Sequence, residues 1–268
     1  MIEIGATQPS KRESIGRWCS LWAYYVRSEI LKLFRMPMFS LPTLLFPIAF
    51  FAMFGMPFKN VQQLGINNGM FMMASFGTYA VMSVAMSSFS ASIAVERGTG
   101  WNQLLKTTPM RTWTFFSGKI AMALFFELIT LVAFLMFGDV VGHIHMAFSS
   151  WCQLTGLLLI GLFPFVTLGF FLGYVSGPTS ATIVANLIFL PLSFASGLFI
   201  PLQMLPKFIQ QVAPYLPSYN VAELGWTALG AHTDRSIWTN LGWITIYTIA
   251  FLAMSILVYR RDQGQKFG

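Results

Sequence analysis

From Val140 to Pro206 the chain carries not one Asp, Glu, Lys or Arg. No surface facing water can be made from so long a run without charge, because roughly a quarter of the residues of a soluble domain are charged. The whole chain shares the bias, with 56% hydrophobic and 9% charged residues. It is therefore a membrane protein, and its 268 residues hold about six spans of ~20 residues joined by short connections. Within the charge-free run, Gly177-Pro178 divides a fourth span at about 152–175 from a fifth at about 180–200.

Elsewhere the boundaries come from charge and turn residues. Residues 1–13 are polar and read as a disordered cytoplasmic tail, with no cleavable signal peptide behind them. Over 14–36, Trp18, Leu21, Trp22, Tyr25, Ile30 and Leu33 alternate with Arg17, Arg27, Lys32 and Arg35. That pattern predicts an amphipathic helix in the membrane interface, its apolar face blurred by Glu29. A single transmembrane domain follows over 37–262, and 263–268 form a cytoplasmic tail. Its first span is expected at about 39–58, where Pro42, Pro47 and Pro57 kink it, and Lys59 to Asn68 form a polar external loop. The second, at about 70–95, is rich in small residues (Ser83, Ser87, Ser88, Ser90, Ala91, Ser92) that let helices approach closely. The third is expected at 113–137 and the sixth at 237–259. Between the fifth and sixth, Pro201, Pro206, Pro214 and Pro217 break an apolar stretch into short pieces. This predicts a broken, re-entrant external element packed against protein. The fold class is all-α, integral to the membrane.

Lysine and arginine fix the orientation. The N-terminal segment holds six, the 96–119 segment four and the C-terminus three, against Lys59, Lys207 and Arg235 alone on the opposite side. Both termini are thus expected in the cytoplasm of a cell whose inner or plasma membrane the chain crosses. The formal charge of +7 is accounted for by this asymmetry, without nucleic acid.

The segment Glu96-Arg97-Gly98-Thr99-Gly100-Trp101-Asn102-Gln103-Leu104-Leu105-Lys106-Thr107-Thr108-Pro109 lies between two spans on the cytoplasmic side. Trp101, Leu104 and Leu105 fall at i, i+3 and i+4, on one helical face, with Asn102, Gln103 and Lys106 opposite. Thr108-Pro109 reads as an N-cap with proline at the first position of the next helix. Two readings stand on spacing alone: a helix lying on lipid headgroups, or a helix whose apolar face enters a partner protein.

Glu-Arg-Gly-Thr, then Gln-Leu-Leu, then Thr-Pro resembles the cytoplasmic coupling segment of type-2 ATP-binding-cassette (ABC-2) exporter permeases, with Trp101 where a smaller aliphatic residue is commoner. Pro191-Leu-x-Phe-x-Ser-Gly-x-Phe-x-Pro201, followed by Leu205-Pro206, is a second family-like run. The resemblance covers about residues 15–262. It implies six spans, with the coupling helix between the second and third docking on a separate ATPase subunit. It further implies two permease copies framing a path and two ATPase subunits below them. ATP and Mg would then sit on the ATPase, with no cofactor held by this chain. The substrates implied are hydrophobic or amphipathic: drugs, lipids, peptides or lipid-linked glycans. The ATPase-coupling residues so assigned are Glu96, Arg97, Gly98, Trp101, Leu104, Leu105 and Pro109.

The chain's own chemistry is sparse. Its only Gly-Lys pair, Gly118-Lys119, is followed by Ile120 and lacks the upstream glycine of a phosphate loop, so the chain is read as a transport subunit rather than an enzyme. Glu127 is the one acid deep in a span, where a charge costs about 2.5–3.5 kcal/mol, so it should face the protein interior. It is either a contact on the substrate path or gate, or a carboxyl hydrogen-bonded to a helix neighbour beside Ala123 and Thr130. His143-x-His145 lacks a third ligand and reads as two loop histidines, with no metal. Glu223, His232 and Asp234 read as solvated, and Cys19 and Cys152 have no metal-ligand spacing. The alternative function is a secondary transporter or channel not coupled to ATP. That class predicts several intramembrane charges or an inverted repeat, where this chain has one acid.

Overall fold

A computed structural model describes residues 11–34, 37–99, 112–233 and 235–264 of the chain. They are almost wholly helical, as an apolar chain in lipid must be when every backbone group needs an internal partner. In order they form α1 (Lys11–Phe34) and α2 (Pro37–Phe50, extended by a π-helical turn over Phe51–Gly55). A hairpin of β1 (Gln62–Gln63) and β2 (Ile66–Asn67) leads into α3 (Asn68–Gly98) and α4 (Thr112–Val140). Then come α5 (Phe148–Val175), α6 (Ala181–Ala195), α7 (Lys207–Val212), α8 (Pro217–Ala228) and α9 (Ile237–Gly264).

Among the described residues, four helices are long and apolar enough to cross a membrane: α3, α4, α5 and α9. The apolar helices Thr43–Gly55 and Ala181–Ala195 are shorter. At 15 residues α6 is about 22 Å long. It stops well before residue 200 for a definite reason. Gly197 takes φ +74°, the left-handed conformation that terminates helices, and its N–H closes the turn on Phe194 O at 3.1 Å. The chain beyond it turns inward, so that Phe199 enters an aromatic cluster with Phe50, Phe76, Tyr79 and Phe194.

The core is built around α3. Every residue from Phe71 to Ser87 is buried, the pattern of a helix surrounded by others. Its small residues do what their composition suggests. A Cβ on Gly169 of α5 would stand 2.7 Å from Ala85 O, and one on Gly173 would stand 2.8 Å from Ile93 Cβ. The two backbones therefore touch, as membrane helices do where small residues meet. Midway, Val84–Ser88 is a π-helical turn, and Val84 packs against Met122 and Phe126 of α4.

The Pro-broken stretch folds into a 3₁₀ turn (Leu202–Met204), α7, a second 3₁₀ turn (Ala213–Tyr215) and α8. Pro217 opens α8 at a position where a helix needs no N–H. Most of α8 is buried against α3, α5 and α9. The indole N–H of Trp226 donates to Ser75 Oγ at 2.9 Å, so a polar atom of α3 fixes this element in place.

Candidate coupling site and the buried charges beside it

Along α4 the buried residues Phe115, Lys119, Met122, Phe126, Thr130 and Phe134 recur at three- and four-residue steps, with buried Glu127 next to Phe126. That stripe faces α1 and α3, and it carries two ionisable groups, Lys119 and Glu127, two turns apart. Their fates differ.

Lys119 is fully buried. Its ammonium donates to Glu29 Oε2 of α1 (3.2 Å), to Ser92 Oγ of α3 (2.9 Å) and to Glu96 Oε1 of α3 (2.8 Å). An ammonium has three N–H bonds, and all three are used here. It also lies 5.2 Å from the centroid of the Phe115 ring. Lys119 thus joins three helices at one point. The sequence counts Lys119 with the cytoplasmic charges of the 96–119 segment; the structure places it inside the helix bundle. The reading of Glu29 is corrected by its burial: only 2% exposed, it is an ion-pair partner of the core and not a flaw in an amphipathic face. Nearby, Tyr25 is buried against Phe115 and Gly118. Burial first, and then the carboxylates of Glu29 and Glu96, push its phenol pKa far above the ordinary value.

Arg97 and Gly98 act one turn further on. The Arg97 guanidinium donates through Nη1 to Tyr174 O and through Nη2 to Ser176 O (3.2 Å). These are carbonyls at the end of α5, where a cation also meets the negative end of the helix dipole. A Cβ on Gly98 would lie 2.5 Å from Pro178 Cγ, so only glycine lets α3 end against that turn. The Ser176–Thr179 connection, expected to be a short uncharged hairpin and nothing more, is the surface on which the end of α3 rests.

Of the residues assigned to coupling, Glu96, Arg97 and Gly98 are therefore brought together by α1, α3, α4 and the α5–α6 turn. Trp101, Leu104, Leu105 and Pro109 lie outside the described residues.

Glu127 sits fully buried, facing the interior as its position demanded. Neither carboxylate oxygen has a hydrogen-bond partner among the described residues. Thr130 Oγ1 donates to Phe126 O at 3.0 Å, so the expected bond to a helix neighbour is not made by that hydroxyl. The π-helical turn of α3 lies opposite this part of α4.

Other sites resolve plainly. His145 Nδ1 is 2.9 Å from Asp139 Oδ1 in an exposed pair, and His143 takes φ +53° in the loop. Cys152 is a free, exposed thiol. Glu223 is only 2% exposed, which corrects the expectation that it is solvated; α8 packs inward and carries it there. His232 is exposed, and Asp234 lies outside the described residues. The signal that sequence reasoning passed over was spacing. Tyr25 and Glu29, Phe115 and Lys119, and Ser92 and Glu96 are each four apart, so each charged group shares a helix face with a residue that turns out to be packed.

The ABC-2 family transporter protein model matches residues 62–257, more than half of the chain, from the hairpin to near the end of α9. The chain is also similar to "Putative transport permease YvfS" of Bacillus subtilis (strain 168), at 23% identity over 239 residues, covering 88% of this chain and 96% of the relative. With a helical bundle of membrane-spanning length and the Glu-Arg-Gly-Thr segment at its edge, the chain belongs to the ABC-2 family of transporter proteins.

Proposed function

We propose that this chain is the permease subunit of an ATP-driven exporter, moving a hydrophobic or amphipathic substrate out of the cytoplasm or the inner leaflet. A separate ATPase subunit, in two copies, supplies the energy and holds ATP and Mg. A second copy of this permease, or a homologous one, completes the path. The six spans include the two shorter apolar helices, and both termini face the cytoplasm.

The observation that carries this reading is the anchoring of Glu96-Arg97-Gly98. Glu96 is held by Lys119 on α4, Arg97 by the last carbonyls of α5, and Gly98 by Pro178 before α6. A push on the segment that starts there acts on several helices at once, as coupling to a moving partner requires. Glu127, buried further along α4, is the group proposed to feel that movement as a gate or substrate contact.

The test is a pull-down of the ATPase subunit by two variants. Leu104→Asp places a charge in the apolar face proposed to enter the partner, and interface anchors of this kind carry most of the binding. It is expected to leave membrane abundance normal while weakening ATPase association and abolishing transport. Asn102→Asp, on the opposite face, should do much less. Equal recovery of the ATPase with both variants would overturn the assignment.

A further inference from the structure

Along the first half of α9, one stripe carries rings. Trp243, Tyr247 and Phe251 fall at i, i+4 and i+8 and stack as a ladder, with centroids 5.9 and 5.7 Å apart and planes inclined by 29° and 26°. Tyr215, from the second 3₁₀ turn, joins the ladder from outside the helix. Its ring meets Trp243 edge-on at 5.9 Å, and its carbonyl accepts from the Tyr247 hydroxyl. Over the Tyr215 ring stands Arg235, with its guanidinium 5.8 Å from the centroid. Helix geometry sets the depth of these groups. Trp243 and Tyr247 lie about 9 and 15 Å along the axis from the start of α9 at Ile237. The hydrocarbon core of a bilayer is about 30 Å thick, and Ile237–Arg260 is long and apolar enough to cross it. Tyr215 is therefore carried below the level of the headgroups, and it is 56% exposed there. Trp238, 77% exposed in the first turn of α9, marks the interface, and Arg235 stands just before it.

The chemistry of this strip names its occupant. Only 11% of the α9 span is buried within the chain, so most of the helix is left to its surroundings, and rings set one above another suit a hydrocarbon chain lying along them. The head of the strip is cationic. Arg235 donates Nη1 to Pro214 O at 2.7 Å, and among the described residues no carboxylate pairs with its guanidinium. Glu223 borders a recess with Arg235 but forms no ion pair with it, and Glu223 Oε2 is buried. A guanidinium has five N–H donors in a planar fork, so donors remain for a second acceptor, and that fork matches the oxygens of a phosphate. We propose that Arg235 and this ladder hold one phospholipid, its phosphate on the guanidinium and an acyl chain along Tyr215, Trp243, Tyr247 and Phe251. None of these residues belongs to the Glu96–Pro109 segment, so the site depends neither on the coupling reading nor on the direction in which the chain faces.

Native mass spectrometry tests it, on the full-length chain delipidated in detergent and titrated with palmitoyl-oleoyl-phosphatidylglycerol. One equivalent should bind saturably, and palmitoyl-oleoylglycerol, which has the same chains and no phosphate, should bind about tenfold more weakly. Arg235→Gln should bring the phospholipid down to the level of the diacylglycerol. Lys207→Gln, which removes a cation outside the strip, should change neither lipid. Trp243→Leu should weaken both lipids severalfold, and it keeps the test open if the Arg235 variant fails to fold. Absence of a saturable equivalent, equal binding of the two lipids, or unchanged phospholipid affinity in Arg235→Gln or Trp243→Leu would each overturn the proposal. A lipid-free homodimer that these two substitutions split into monomers would assign the strip to a second copy of the chain, and would overturn it as well. The titration contains no ATPase, so a failed ATPase pull-down would leave this measurement standing.

Discussion

At the scale of single residues, two ionisable side chains on one face of α4 follow opposite rules. Lys119 has three donors and three acceptors, so its burial is compensated; Glu127 has none of its oxygens bonded among the described residues. Breaking a buried ion pair by removing one partner costs about 3–5 kcal/mol, because the other charge stays behind. Lys119→Met is therefore expected to lower the melting temperature of the purified protein substantially, by leaving Glu29 and Glu96 facing an apolar side chain. Glu29→Gln should be milder, since Lys119 keeps Glu96 and Ser92. Thermal unfolding in detergent measures both, and a Lys119→Met protein as stable as the parent would remove the network from the account of stability. Glu127→Leu runs the other way. It deletes a buried polar group that gains nothing from its surroundings, so stability should hold or rise while transport falls. Unchanged transport in that variant would make Glu127 a structural residue.

At the scale of elements, the informative contacts are those made where one helix ends on another. Arg97 closes the last carbonyls of α5, and hydrogen bonds to charged donors are worth about 1.5–3 kcal/mol. Arg97→Ala should loosen the Ser176–Thr179 turn locally, without unfolding α5. Faster hydrogen exchange confined to residues near 174–180 is the expected readout, and exchange unchanged there would show that the turn holds itself. These end contacts also mark how far the sequence could be read. Long helices follow from charge-free runs bounded by Lys, Arg, Asp and Gly-Pro, and α5 and α9 are of that kind. The end of α6 was not legible, because Gly197 acts as a terminator only once Phe199 has a place among Phe50, Phe76 and Tyr79, which no local pattern announces. Lys119 and Glu29 were hidden for a related reason. A charge beside a span is ordinarily a surface charge, and the four-residue spacings that put Glu29 and Lys119 on packed faces do not say that the two pair with each other across helices. Glu223 was hidden by the prolines around it, which suggested a loop where α8 instead packs inward.

At the scale of the whole molecule, the question is which end of the bundle faces which side of the membrane. With 31 residues α3 is about 45 Å long, enough to carry the hairpin and the Arg97 contacts to opposite surfaces. The hairpin end is tied together: His232 N donates to Leu64 O at 2.8 Å, and Gly65, at φ +80°, has room for no Cβ beneath the His232 ring. A cysteine at Asn67 and one at His232 must therefore report the same side of the membrane, whatever that side is. In the orientation proposed above, which rests on the lysine and arginine asymmetry, that side is the outside. Each substitution is made with Cys19 and Cys152 replaced by serine, and intact cells are then treated with a membrane-impermeant thiol reagent. Both introduced cysteines should label, while Cys19, restored alone, should label only after permeabilisation. Labelling of Cys19 in intact cells would sink the proposed orientation. Labelling of one of Asn67→Cys and His232→Cys without the other would break the packing of the hairpin on the loop after α8, a separate failure that leaves the orientation to be judged on Cys19.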